Sequence, residues 1–326
     1  VKGREVVSRV LAALVTLLVL SVVRFFATEL LPGDAVGVAA GNDATEAERA
    51  EIRERLGLDQ PAMSRYLEWL TQLLRGDLGR SLSSGRAVGD MLSSRFGYSL
   101  VLILLAAAAV VVLAVVLGLA AGMRVDSRLD RLLSAGTVTL IAVPEFLLAS
   151  ALLMVLAQHW RLLPAVSMVP PGDAPWAHPD LLVLPVTSLV LGGLGVATRL
   201  VRAATAAVAD SPAVEQARLD GESGWALAVW YVLPAAAGPA VQGMAVMVSG
   251  LLGGSLVVEA LFNYPGVGAE LARAVAYRDV PVVQGFGLAL AAAVLVVLFL
   301  GDLLGRLLDV RSRPGTRRDP IAGGAP

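Results

Sequence analysis

Six stretches of this chain are long and apolar enough to cross a lipid bilayer, and that property decides most of what it can fold into. A span needs about 20 mostly apolar residues to traverse roughly 30 Å of hydrocarbon. The qualifying stretches are approximately Val10–Leu31, Phe96–Gly122, Leu132–Gln158, Leu181–Val201, Ala235–Val258 and Val282–Leu308. No water reaches the bilayer core, so each must satisfy its own backbone as a helix. Composition agrees: 56% of the 326 residues are hydrophobic and 16% charged, against about 25% charged in an ordinary globular chain. The expected fold is all-α and polytopic, with six transmembrane helices and a small extracytoplasmic helical insertion between spans one and two.

Basic residues set the orientation. Lys2, Arg4 and Arg9 precede span one, and Arg124, Arg128 and Arg131 join spans two and three. Arg199, Arg202 and Arg218 flank or fill the link from four to five, and Arg306, Arg311, Arg313, Arg317 and Arg318 end or follow span six. The opposite short loops hold only Arg161, then Arg273 and Arg278. Both termini are therefore expected in the cytoplasm. The link Pro32–Arg95 carries eight arginines and ten acidic residues, and a loop of that length translocates largely regardless of charge. Phe26-Ala27-Thr28-Glu29 is a poor small-x-small cleavage site, so span one is expected to be retained.

Several chemistries are excluded early. The chain has no cysteine, which removes disulfides, thiolate catalysis and iron–sulfur ligation. Its only lysine is Lys2, so no loop ending in Gly-Lys-Ser/Thr can cradle a nucleotide phosphate. A net charge of −1 gives no reason to expect nucleic acid. Neither a Gly-x-Ser-x-Gly elbow nor a His-Glu-x-x-His run occurs. No catalytic, cofactor-binding or metal-binding residue is expected, and no cofactor.

The long link reads as a helical cap, resting on the membrane surface or on the spans. Thr45-Glu46-Ala47-Glu48 has capping-box spacing, with Ile52 and Leu56 a turn apart and a stop at Gly57. Pro61 suits a first helical position, and Met63, Tyr66, Leu67, Leu70, Leu73 and Leu74 form a stripe that Gly76 ends. A third short helix around Val88, Met91 and Leu92 leads into span two. Gly118/Gly122 and Gly250/Gly254 allow close helix packing. Trp160, Trp176, Trp225 and Trp230 suit interfacial belts. The tail after Arg311 has a disordered composition.

Ionisable groups inside spans are few. Glu145 follows Pro144 within span three, where such a group is expensive; it lines the pathway or serves as a structural pair or a protonated carboxyl. Arg24 and Glu29 can pair or snorkel, and Asp302 with Arg306 suits an intrahelical pair. His159 and His178 read as interfacial or loop residues. Glu259, near the outer end of span five, has no evident partner carboxylate.

Between spans four and five, Ser211 can cap a helix that starts at Pro212. Glu215 falls in its favourable first turn, and Gly221 supplies the stop. A second helix carries Trp225, Trp230 and Tyr231 into the membrane at Pro234. The product is a short helix across the inner mouth of a bundle with no energy source of its own.

That loop resembles the signature of inner-membrane permease subunits of ATP-binding-cassette importers: Glu-Ala-Ala, three residues, Gly, nine residues, then Ile-x-Leu-Pro. Here the positions are Glu215, Gln216, Ala217, Gly221, Tyr231, Leu233 and Pro234, with Gln216 and Tyr231 departing from the pattern. LLPGDAV, RLGLDQPAMSRYLEWLTQLLRGDLGRSL, VVEALFNYPGVGAEL, RDVPVVQG and LLDVRSRP resemble the first permease of the dipeptide, oligopeptide and nickel importers. The likeness runs from about Arg9 to Pro314.

The resemblance implies a peptide permease forming half of a pathway in a heterodimer with a second related permease. Two cytoplasmic ATPase subunits and an extracytoplasmic solute-binding protein complete the complex, which lies in membrane lipid. It divides the chain into 1–31 (N-tail and first span), 32–95 (insertion), 96–310 (core, with coupling loop 202–234) and 311–326 (tail). A nickel or metal-chelate permease is the alternative within the family. Outside it, the alternatives are a scaffold or sensor subunit and, with little support from its residues, a membrane enzyme.

Overall fold

The computed structural model describes residues 3–30, 45–47, 50, 59–170 and 172–308. Its helices are α1 (Gly3–Leu30), α2 (Ala62–Leu74), α3 (Val88–Gly122), α4 (Arg128–Ala142) and α5 (Glu145–Leu152), which runs on through a π turn, Leu153–His159. After a 3₁₀ turn at Pro175–Ala177 come α6 (Pro179–Ala209), α7 (Pro212–Leu219) and α8 (Gly224–Leu227). A second π turn, Ala228–Val232, carries α8 into α9 (Leu233–Leu261), followed by α10 (Val267–Ala276) and α11 (Val280–Leu308). Most of the helix expected from Thr45 to Gly57, with Glu48, Ile52 and Leu56, lies outside the described residues. So do the Glu29 side chain and everything beyond Leu308.

Among the described residues, five helices are long and apolar enough to cross a membrane: α1, α3, α6, the continuous α8–α9 and α11. The remaining expected span is a bent pair, which passes the same test only when its two helices are taken together. α4 and α5 meet at a bend of 96°, where the sequence had read as one span from Leu132 to Gln158. Val143 and Pro144 both take extended backbone, with ψ of 122° and 138°. Proline lacks the N–H that would continue the ladder and pushes its predecessor out of the helical region.

The separate short helix expected around Val88 is instead the first turns of α3, 35 residues long, or about 50 Å at 1.5 Å per residue. Val88 and Met91 are buried with Val267, Ala274, Val282 and Phe286, and that packing holds the extra turns. Pro61 caps α2 and Ala62 is its first helical residue, one position later than expected.

The core is a seam of α3, α6 and α9. Leu102, Ala106, Val110 and Ala114 of α3 meet Leu189, Ala197 and Val201 of α6 and Met247, Leu251 and Val258 of α9, all buried. Two glycines set the α3–α6 spacing. A Cβ on Gly118 would lie 2.6 Å from the Val201 Cβ, and one on Gly122 would lie 2.6 Å from the Thr205 Cβ. Of the other small-residue pair, Gly250 is exposed with nothing near it, and Gly254 faces the Glu145 carboxylate.

α1 is peripheral and lies along α11. The Arg9 guanidinium pairs with Asp302, which Arg306 also meets at 3.2 Å within its own helix. The Gln284 amide donates to the Thr28 hydroxyl at 2.8 Å, and the Arg24 guanidinium lies against Gly287. Early residues of α1 thus meet late residues of α11, so the two helices run antiparallel.

The glycine spacing yields a test. Gly118→Leu should destabilise the chain by about 1–3 kcal/mol, the usual range for overpacking. Gly136→Leu, at an exposed site with nothing within 4 Å, should not. Thermal midpoints of detergent-purified protein, read by size-exclusion recovery after heating, separate the two.

Candidate functional site

The loop between α6 and α9 is built on an eight-residue helix with two faces. Pro212 starts α7, where its missing N–H would be unpaired anyway. The Ser211 side chain makes no capping bond; its carbonyl accepts from the N–H groups of Val214 and Glu215 at 3.0 and 2.9 Å. The cap is thus made by main chain, against expectation. At the other end Gly221 has φ +96°. Its N–H donates to Arg218 O at 3.1 Å and that of Glu222 to Ala217 O at 3.0 Å, the paired bonds of a Schellman motif.

One face of α7 is anchored. Val214 and Ala217 are buried with Leu119, Val208, Leu227, Val232 and Ala236, which ties α7 to α3, α6 and the start of α9. The other face is open: Glu215, Gln216, Arg218 and Leu219 are exposed. Arg218 meets Glu215 at 3.3 Å, and Gln216 donates to Asp220 at 3.1 Å. Trp225 and Trp230 are exposed nearby in sequence. Leu233 is half-buried and Pro234 exposed, and Pro234 sits inside the continuous helix rather than at a break before it. Glu215, Gln216, Ala217 and Gly221 are therefore in one compact element, with Leu233 and Pro234 at the base of α9.

Glu145 is the first residue after the break in span three. It is half-buried, and its Oε1 is buried without a hydrogen-bond partner. A Cβ on Gly192 of α6 would lie 2.9 Å from its carboxyl carbon, and one on Gly254 of α9 would overlap it. The carboxylate occupies a notch that only glycine leaves open, where three helices meet. His178 is paired with Asp173 at 2.8 Å at an exposed loop, and His159 is exposed at the end of its π turn. No metal-ligating trio of His, Asp or Glu gathers among the described residues.

Three buried carboxylates were not singled out by the sequence as sites. Asp130 is 2% exposed and holds Arg202 of α6 through two bonds, one to Nε and one of 2.6 Å to Nη2. It also accepts from the Asp126 N–H at 3.0 Å and the Ser134 hydroxyl at 3.3 Å. The pair joins α4 to α6 two turns before α7.

Glu259 is fully buried and accepts the Gly268 N–H at 2.6 Å, at the positive end of α10. Beside it the Ser99 hydroxyl of α3 accepts the Val267 N–H at 2.8 Å. The buried Tyr264 donates its hydroxyl to Tyr98 O at 3.0 Å; burial, then the Glu259 charge, pushes this phenol well above its ordinary range, so it stays a donor.

Asp279 accepts from four neutral donors: the Ser81 and Ser83 hydroxyls at 2.5 and 2.8 Å and the Leu82 and Ser83 N–H groups at 3.0 and 3.2 Å. It pins the loop after α2 to the start of α11. Asp before Val280-Pro281 at a helix start was the available signal for Asp279. For Asp130 and Glu259 it was an acid next to or inside an apolar run.

The Asp130–Arg202 pair is testable. Asp130→Ala strands a guanidinium, and breaking a buried pair costs about 3–5 kcal/mol. The lower end is expected because 29% of the Arg202 side chain remains exposed. The double variant Asp130→Leu/Arg202→Met should recover most of the lost thermal midpoint, since no charge is left unpaired.

Comparison with known proteins places this architecture. Residues 114–314 match the family described as binding-protein-dependent transport system inner membrane component, and residues 3–103 match the family of its N-terminal portion. A protein named as a peptide transport system permease in Brucella abortus is 30% identical over 94% of this chain and 98% of its own length. One named as a peptide permease in Brucella suis is 32% identical over 94% and 98%. The glutathione transport system permease of Salmonella typhimurium is 32% identical over 92% and 95%. With its apolar helices, the chain is a multi-pass membrane component of a transporter, and it belongs to the family of binding-protein-dependent transport system inner membrane components.

Proposed function

We propose that this chain is one permease half of an ATP-binding-cassette importer for di- or oligopeptides, paired with a second, related permease. Two cytoplasmic ATPase subunits hydrolyse ATP for it, and an extracytoplasmic solute-binding protein delivers cargo. Both termini and α7 face the cytoplasm, with residues 32–95 outside. In this reading the core begins near residue 96, and the coupling loop covers 202–234. The names of the relatives support peptide cargo, and the arginine asymmetry supports the orientation.

The observation that carries the proposal is the two-faced α7. Val214 and Ala217 fix it to three spans, while Glu215, Gln216, Arg218 and Leu219 are left to meet another protein. A helix displaced by an ATPase pair moves the inner ends of α3, α6 and α9 with it, because those helices supply its seat. The bend at Val143–Pro144 gives span three a place to change angle, and Glu145 stands beside it, lining the pathway.

Two experiments on the reconstituted complex test this. A left-handed residue with a Cβ costs about 1–2 kcal/mol, so Gly221→Val should displace α7 without unfolding the bundle. Glu215→Lys reverses an exposed charge and should leave the fold intact. Both variants should insert and join the second permease, yet lose peptide uptake and cargo-stimulated ATP hydrolysis. Full transport by both would remove α7 as the coupling element. Glu145→Gln should leave membrane abundance near that of the parent while changing the rate of uptake; an unchanged rate would make the carboxylate a packing feature only.

A further inference from the structure

The position of α2 against α1 is not accounted for by a cap that lies above the membrane. The Tyr66 hydroxyl of α2 and the Ser21 hydroxyl of α1 are 2.9 Å apart and buried. The Tyr66 ring packs on Phe25 and Phe26 with centroids 5.4 and 6.2 Å away, and Trp69 lies 6.0 Å from Phe25. All three α1 residues belong to its membrane-crossing stretch, which runs to Thr28. At 1.5 Å per residue, Ser21 is about 10 Å inside the end of that stretch. The contact is made among apolar residues that lipid would otherwise surround.

The faces of α2 divide accordingly. At 100° per residue its apolar positions fill nearly half the circumference. One side of that arc, Tyr66, Trp69 and Leu73, is buried or half-buried, and the rings of Tyr66 and Trp69 meet α1. The other side is open: Met63, Leu67 and Leu74 are 56%, 54% and 80% exposed. The opposite arc carries Ser64, Glu68, Thr71 and Gln72, all exposed, and Arg75 closes the helix in an exposed position.

We infer that α2 is an in-plane membrane helix. Met63, Leu67 and Leu74 rest among acyl chains of the leaflet that holds the C-terminal half of α1, and Glu68 and Gln72 face the headgroups and water. A helix of this kind sinks about 5–10 Å into the headgroup–acyl boundary, the depth that the Tyr66–Ser21 contact sets. Lipid is the occupant because α1 itself is immersed at this level and the arc next to the α1 contact continues its apolar surface. α2 then acts as a lateral anchor. It holds the loop that Asp279 pins to α11 at a fixed height above the bilayer.

The test uses the complete complex in liposomes, with single cysteines placed in the cysteine-free chain at Met63, Leu67, Glu68 and Gln72. Each carries an environment-sensitive fluorophore, and labelled complexes that still take up cargo are compared. A nitroxide borne on the acyl chain near the headgroup should quench positions 63 and 67 several-fold more than 68 and 72, and aqueous iodide should show the reverse order. Iodide quenching of 63 and 67 equal to that of 68 would put the stripe in water and overturn the inference. Quenching of 63 and 67 by neither agent would show that protein covers the stripe, and would overturn it as well.

Discussion

The close approach of α3 and α6 is the contact on which the rest of the chain depends. Gly118 and Gly122 let the α6 residues Val201 and Thr205 reach the α3 backbone, so these two interior helices lie nearly in contact at one end. Lipid tails are as apolar as the helices, and association in a bilayer therefore rests on van der Waals fit. Everything near that end inherits its position from this fit: Arg202, which leaves α6 one residue after Val201, and α7, which begins ten residues later.

Carboxylates join what packing brings together. Asp130 ties α4 to α6, Glu259 ties the end of α9 to α10, Asp279 ties the loop after α2 to α11, and Asp302 ties α11 to α1. Each carboxylate sits at or near a helix end, where unpaired N–H groups or arginines are available. Glu145 differs. Like Glu259 it has one oxygen buried without a partner, but it lies in a notch of glycines beside the 96° bend between α4 and α5 rather than against a neighbouring helix start. An ionisable group in that position within a bundle is a functional hypothesis by default, which is why it stands with α7 in the proposed transport cycle.

The ends of the bundle contrast in construction. At the end with α10, Glu259 and Asp279 join neighbouring elements beside a shared cluster of Val88, Val267, Val282 and Phe286. At the end with α7, where Asp130 pairs with Arg202, α7 itself rests on a small apolar seat and leaves its charged face open. That construction suits the coupling role proposed for α7: anchored enough to transmit a displacement, open enough to be gripped.

Sequence alone was enough for five of the six expected spans, because about 20 apolar residues in a row admit only a helix in lipid. It was also enough for the ends of α7, since proline and glycine act through their own backbones and need no neighbours. The bend at Pro144 could be suspected, but its 96° depended on what α5 packs against. Where Glu145 goes was not legible, because Gly192 and Gly254 lie 47 and 109 residues away in the chain. The same holds for Asp130 with Arg202 and for Tyr66 with Ser21: spacing along a helix names a face, and only the folded bundle says which residue stands opposite.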